Sequence, residues 1–123
     1  MEPRQITENI IGAAMEVHRA LGAGFLESIY RNALARELAL RGLAVEIERE
    51  VQVTYKDFVV GRHRLDLIVE GAVIVELKAA SAILAIHTAQ ALSYMKATGI
   101  PLSLVMNFGE SSLNWKRLIK TRD

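Results

Sequence analysis

The chain has 123 residues, 51% of them hydrophobic, and its charged residues nearly cancel at a net charge of +1. That composition supports one packed domain spanning 1–123 and excludes disorder, while the near-zero charge points neither toward nor away from nucleic acid. Cysteine is absent, which excludes disulfides, thiolate metal sites and a cysteine nucleophile, and His18, His63 and His87 stand too far apart for a local zinc motif.

The opening MEPRQITENI is charged and has no apolar core of a signal peptide, and no apolar run reaches the length of a membrane span. The expectation is a soluble protein of the cytoplasm with no membrane partner. Two basic clusters stand out: Arg62-His63-Arg64, and Lys116, Arg117, Lys120 and Arg122 near the C-terminus. Either is ordinary solvated surface unless other residues give it a ligand.

Helical spacing of Ile10, Ala14, Val17, His18 and Leu21 predicts a first helix over 7–21, ended by Gly22 and Gly24. A second runs over about 25–41, with Leu26, Ile29, Tyr30, Ala33, Leu34 and Leu38 on its buried side and Gly42 as its stop. The period then drops to two. Val45, Ile47, Val51, Val53 and Tyr55 alternate with polar residues, which predicts a half-exposed antiparallel strand near a sheet edge. After a turn at Lys56-Asp57, strands are expected over 58–69 and 72–79, with a turn at Glu70-Gly71 between them. A third helix follows over 83–98, its apolar side formed by Ile83, Leu84, Ala91, Leu92 and Met95, closed by Gly99 and Pro101. PLSLVMNF reads as a buried strand, and the tail SLNWKRLIK as a strand or a short helix. The order is that of an α/β fold with helices packed on a mixed sheet.

The stretch VIVELKA carries the main question. Ile74, Glu76 and Lys78 share one strand face, so an apolar strand aims a carboxylate and an ammonium the same way. In the preceding strand, Arg62, Arg64, Asp66 and Ile68 share a face. A two-residue loop at Glu70-Gly71 would put Asp66 and Glu76 on opposite faces. A three-residue loop containing Gly71 would bring them together. In the convergent register the two carboxylates repel unless a cation lies between them, and Mg²⁺ is typically held by one or two carboxylates. The alternative is a solvated Glu–Lys pair on an exposed face. Glu27 sits on the rim of the second helix's apolar stripe, where either a metal or the helix N-terminus could favour it. His87, Gln90 and Tyr94 share a face of the third helix, as core-bound polar packing or as a face aimed at a ligand beside VIVELKA.

GFLESIY, with Gly24, Glu27 and Tyr30, then RLDLIVEGAVIVELK, HTAQALSYMKATG and the NFG at Asn107–Gly109 together resemble the GxxExxY proteins from about Ile11 to Leu118. That family is placed in the PD-(D/E)XK nuclease superfamily. The resemblance implies a restriction-endonuclease-like αβββαβ core, here with an extra N-terminal helix. It also implies roles: Asp66 and Glu76 as metal-binding acids, Lys78 as the motif lysine, Glu27 as an added carboxylate and Gln90 as the glutamine of the following helix. Leu65 stands where the superfamily's name has proline.

The function expected on this basis is Mg²⁺-dependent hydrolysis of phosphodiester bonds, with Mn²⁺ as a possible substitute. DNA is the first candidate substrate and RNA the second. Asp66, Glu76, Lys78 and Gln90 are the expected catalytic set, and Asp66, Glu76 and Glu27 the metal ligands. Tyr30, Arg62, Arg64, His87 and Tyr94 are expected to position the site or contact nucleic acid. A domain this small grips little duplex alone, so a homodimer or a larger protein partner is expected. The competing expectation is a non-catalytic nucleic-acid-binding or protein-interaction domain that keeps the nuclease fold.

Overall fold

The computed structural model describes residues 1–120, so Arg122 of the C-terminal basic cluster lies outside the described residues. Two helices open the chain, α1 over Pro3–Leu21 and α2 over Glu27–Leu40. Three strands follow: β1 (Val45–Tyr55), β2 (Phe58–Val69) and β3 (Val73–Lys78). After them come α3 (Ala85–Thr98), β4 (Leu102–Asn107) and β5 (Asn114–Ile119), so the tail is a strand. Helix α1 begins at Pro3 rather than at Thr7. Pro3 suits a first helical turn, and the Gln5 side chain accepts the Glu2 N–H at 3.0 Å.

The sheet runs in the order β1-β2-β3-β4-β5. Strand β3 pairs antiparallel with β2 and parallel with β4, and α3 supplies the crossover that a parallel pair requires. Strand β3 is therefore central and buried on both faces, which accounts for its continuous apolar run. On one face, α1 and α2 lay Ile10, Tyr30, Leu34 and Leu38 against Leu67, Val75 and Leu77. On the other, Met95 of α3 packs with Leu65, Ile68 and Ile74.

Several residues expected on buried sides are exposed. Leu26 and Leu84 are the N-cap residues of α2 and α3, so neither sits at a helical position that could face the core. Ile29 and Leu92 flank the buried lines and also remain exposed. On β1 only Val51 is buried, while Ile47, Val53 and Tyr55 are not. For Val53 and Tyr55 the cause is length. Strands β1 and β2 pair from Val45↔Val69 out to Tyr55↔Phe58, but β3 pairs with β2 only over Leu67–Val69. The outer part of this hairpin runs beyond the strand that would back it. Its tip turns on Lys56 and Asp57, both at positive φ, as two-residue hairpin turns demand.

The connection from β2 to β3 decides the site. Val69 pairs with Val73, leaving Glu70, Gly71 and Ala72 as the loop. Glu70 and Gly71 have φ of 55° and 63°, and the Ala72 N–H closes the turn on Val69 O at 3.0 Å. Glu70 tolerates the left-handed region because it is pinned: its N–H donates to Ala44 O at 2.8 Å, and its carboxylate accepts the Ala44 N–H at 2.6 Å. This is the convergent register.

Candidate active site

The β2–β3 ladder of partnered residues, Leu67–Val69 with Val73–Val75, stops just short of Asp66 and Glu76. Beyond it side chains replace the backbone bonds. The Asp66 carboxylate accepts the Leu77 N–H at 2.9 Å, and the Glu76 carboxylate faces the Asp66 N–H at 3.4 Å. The two acids thus hold each other's strands as well as facing each other. Glu76 is only 6% exposed. Burial pushes its carboxyl up to about 8, and the Asp66 charge and a hydrogen bond with the Asp66 side chain add to the rise. The Lys78 ammonium, half-buried on the same strand face, opposes the rise without cancelling it. Among the described residues Lys78 has no ion-pair partner, so its charge remains open to a ligand.

Tyr94 joins this group from α3. Burial raises its phenol pKa, and the charges of Glu76 and Asp66 raise it further, so the ring shares their field. Its position is fixed by a residue that is not among the expected site residues: His63 stacks on it with centroids 4.2 Å apart and planes 14° from parallel. Tyr94 Oη lies 3.4 Å from His63 Nδ1.

The remaining expected residues lie elsewhere. Glu27 is exposed in the first turn of α2, and no third His, Asp or Glu among the described residues joins Asp66 and Glu76 in a metal-binding group. Gln90 is exposed on α3 and makes no side-chain hydrogen bond among the described residues. His87 accepts the Leu84 N–H on Nδ1 at 3.0 Å, so it caps the start of α3. Tyr30 is fully buried, stacked on Phe108 at 4.8 Å. Its hydroxyl donates to Gly22 O and accepts the Phe25 N–H, tying down the α1–α2 loop in which Gly24 sits at φ 114°. Half of the GFLESIY signature is therefore loop architecture.

Arg62 and Arg64 do not share the Asp66 face as strand alternation implies. Arg64 reaches Glu48 at 3.6 Å, and Glu48 is also held by Arg31 of α2 at 2.6 Å, on the face opposite α3. His63 and Leu65 face α3, and so does Asp66, so alternation changes phase between Leu65 and Asp66. Glu48, the β1 residue left without a partner between Ile47↔Leu67 and Arg49↔Leu65, has φ 54°. A left-handed residue in a strand breaks the two-residue period. Arg62 pairs with Glu50 at 3.3 Å.

The NFG stretch supports the end of β3. Asn107 is fully buried and clamps Ala80 through both backbone groups, accepting its N–H and donating to its carbonyl, each at 3.0 Å. Gly109 lies so close that a Cβ there would stand 2.3 Å from Ala80 O. Gly109→Ala should cost about 3 kcal/mol or more of stability, because the obstacle is backbone that cannot rotate away. Urea unfolding checks this; a loss under about 1 kcal/mol would show that the loop after Lys78 is free to yield.

The carboxylate pair fits a divalent cation. Two hard oxygen donors meet at a partly buried position where their repulsion is already expressed as a raised Glu76 pKa, and a cation between them relieves it.

A mixed five-stranded sheet flanked by helices, with two helices ahead of β1 and a crossover helix between β3 and β4, is the restriction-endonuclease-like architecture. The fold is similar to that of a solved protein titled "Crystal structure of SSO0001", with a TM-score of 0.59 at 16% identity, over 78% of this chain and 50% of that one. The chain thus spans half the length of that protein, and the likeness carries the fold alone. No curated protein matches. A family model for the PD-(D/E)XK nuclease superfamily matches residues 4–118. The chain belongs to that superfamily. No helix among the described residues is long and apolar enough to cross a membrane.

Proposed function

We propose that the chain is a divalent-metal-dependent nuclease whose reacting centre is Asp66, Glu76 and Lys78, acting on DNA in preference to RNA and with Mg²⁺ as its usual ion. The finer likeness to GxxExxY proteins belongs to this reading. The observation that carries it is the pair of carboxylates held face to face at the frayed end of the β2–β3 ladder, with Glu76 buried and its pKa raised. Bridging the two strands does not require two facing carboxylates, and perturbed titratable groups in such settings mark functional sites.

Asp66 and Glu76 hold the metal, and the backbone bonds they accept fix their carboxylates before any ligand arrives. When bound, the ion neutralises charge on the scissile phosphate and makes a nearby water more acidic. Lys78 directs its ammonium at the phosphoryl oxygens, where negative charge grows in the transition state, or orients the attacking water. Tyr94, held by His63, positions the water or the backbone. Gln90 and Glu27, both exposed and apart from the acid pair, are assigned to join it when nucleic acid is bound. Arg62 and Arg64 exchange exposed carboxylate partners for phosphates away from the reacting atoms, an exchange that costs little because such surface pairs are worth about 1 kcal/mol or less. A homodimer supplies the grip that one small domain lacks.

The test is cleavage of linear, branched and single-stranded DNA and RNA by purified protein with Mg²⁺ or Mn²⁺. The expected result is cleavage that EDTA abolishes and Asp66→Ala removes. Metal-independent binding with no cleavage of any substrate would instead favour a non-catalytic binding domain.

A further inference from the structure

Beside Tyr94 the surface opens into a groove of about 430 Å³, lined by Gln52, Val53 and Thr54 of β1 and by Tyr94 and Lys96 of α3. That volume lies near the small end of the range for small-molecule sites, about 300–1,000 Å³. It has room for one nucleobase with its sugar. It has none for a duplex, whose major groove alone is about 12 Å wide.

Three features select the occupant. The first is a wall shared with the acid pair: Tyr94 lines the groove and also lies in the field of Glu76 and Asp66. His63, stacked on Tyr94, precedes Asp66 by three residues on β2, roughly 10 Å along the strand. A chain of nucleotides with one base in the groove therefore carries a neighbouring phosphate toward the acids. The second is surface chemistry. Val53 is an exposed apolar side chain, and Tyr94 meets the groove on a side that His63 does not line. Bases of any identity stack on such a ring. Gln52, Thr54 and Ser93 add polar groups that suit any base edge. The third is charge. No lining residue is acidic, and Lys96 has no ion-pair partner among the described residues. A helix C-terminus favours a cation whatever binds, but one cation beside an apolar, aromatic groove matches a base joined to a phosphate.

We propose that this groove holds one unpaired nucleobase of the substrate, stacked on Tyr94 with its phosphate at Lys96. The substrate is then single-stranded or flapped nucleic acid rather than intact duplex, a class that rests on the nuclease reading of Asp66, Glu76 and Lys78.

Fluorescence anisotropy in EDTA, where nothing is cleaved, tests this with two DNA hairpins. One carries a short thymidine flap and the other an abasic flap of equal length, so the charge is equal and only the bases differ. Wild type should bind the thymidine flap about tenfold or more tightly. Ala97→Leu adds an apolar side chain to the groove wall at an exposed position of α3, and leucine is a good helix former. It should abolish the preference while its melting temperature and Mg²⁺ response stay as in wild type. Tyr94→Leu should abolish the preference too. Lys96→Gln should weaken binding of both hairpins by the same factor and lower the salt slope by about one, because it loses a phosphate contact. Equal affinity of wild type for the two hairpins, or binding of neither, overturns the proposal. So does a preference that survives in both Ala97→Leu and Tyr94→Leu. A thymidine preference without any Mg²⁺ response in the melt would keep the groove and remove the metal site; an Mg²⁺ response without the preference would do the reverse.

Discussion

Glu76→Gln should raise the melting temperature of the metal-free protein at pH 8 to 9 by at least about 4 °C, which for a domain of this size corresponds to roughly 1 kcal/mol. The pH dependence gives the sign. Burial and Asp66 hold the folded Glu76 carboxyl at about 8, above its ordinary 4.5. Between those values the folded state keeps a proton that the unfolded chain has released, so stability falls as pH rises through the window and levels off above about 8. Below the ordinary carboxyl range both states are protonated and the group costs nothing. Glutamine keeps the shape and cannot ionise. The variant and wild type should therefore melt at nearly the same temperature at pH 4.5 and separate progressively toward pH 8. Parallel curves across that range would mean that Glu76 is solvated in the folded protein and that the two acids do not face each other.

Lys78→Ala should lower cleavage by at least about a hundredfold at saturating substrate while leaving the metal-induced rise in melting temperature largely intact. A hundredfold is the usual scale of losing one group that stabilises charge developing in a transition state. Asp66→Ala should lose both cleavage and the metal response. This contrast separates the residue that acts on phosphate from those that hold the ion. The Lys78 ammonium has no ion-pair partner among the described residues, so its removal strands no buried carboxylate from a salt bridge. Equal cleavage rates in wild type and Lys78→Ala would take the catalytic role away from VIVELKA.

Much of this architecture could be read from the residues because local and global signals agree. Glycines at helix ends, the change of period after Gly42 and the Lys56-Asp57 turn all mark boundaries that the structure keeps within a few residues. The decisive register was readable only as two alternatives, since Glu70-Gly71 permits both loop lengths and the anchoring of Glu70 on Ala44 is a tertiary contact. The faces of β2 were misread for a similar reason. Alternation is a good rule until one residue of the neighbouring strand enters the left-handed region, and nothing in VEIEREVQV marks Glu48 as that residue. His63 escaped notice because a histidine between two arginines looks like surface charge, and its stacking on Tyr94 joins residues 31 apart in sequence. Asn107 and Gly109 were visible only as part of a resemblance. Their clamp on Ala80 shows why that motif has an amide followed two residues later by a glycine.

The central claim is that Asp66 and Glu76 together hold a divalent cation, and a thermal melt of metal-free protein titrated with Mg²⁺ at pH 8 measures it most directly. A ligand that binds only the folded state stabilises it by about 2.7 kcal/mol at a hundredfold excess over its dissociation constant, a shift of several degrees here. Because Glu76 must give up its proton to bind the ion, the shift should grow as pH rises from 6 to 8. Wild type should show that rise, and Glu76→Gln, though more stable without metal, should show none. Equal Mg²⁺ shifts in the two proteins, or no shift in wild type at millimolar Mg²⁺, would contradict the claim.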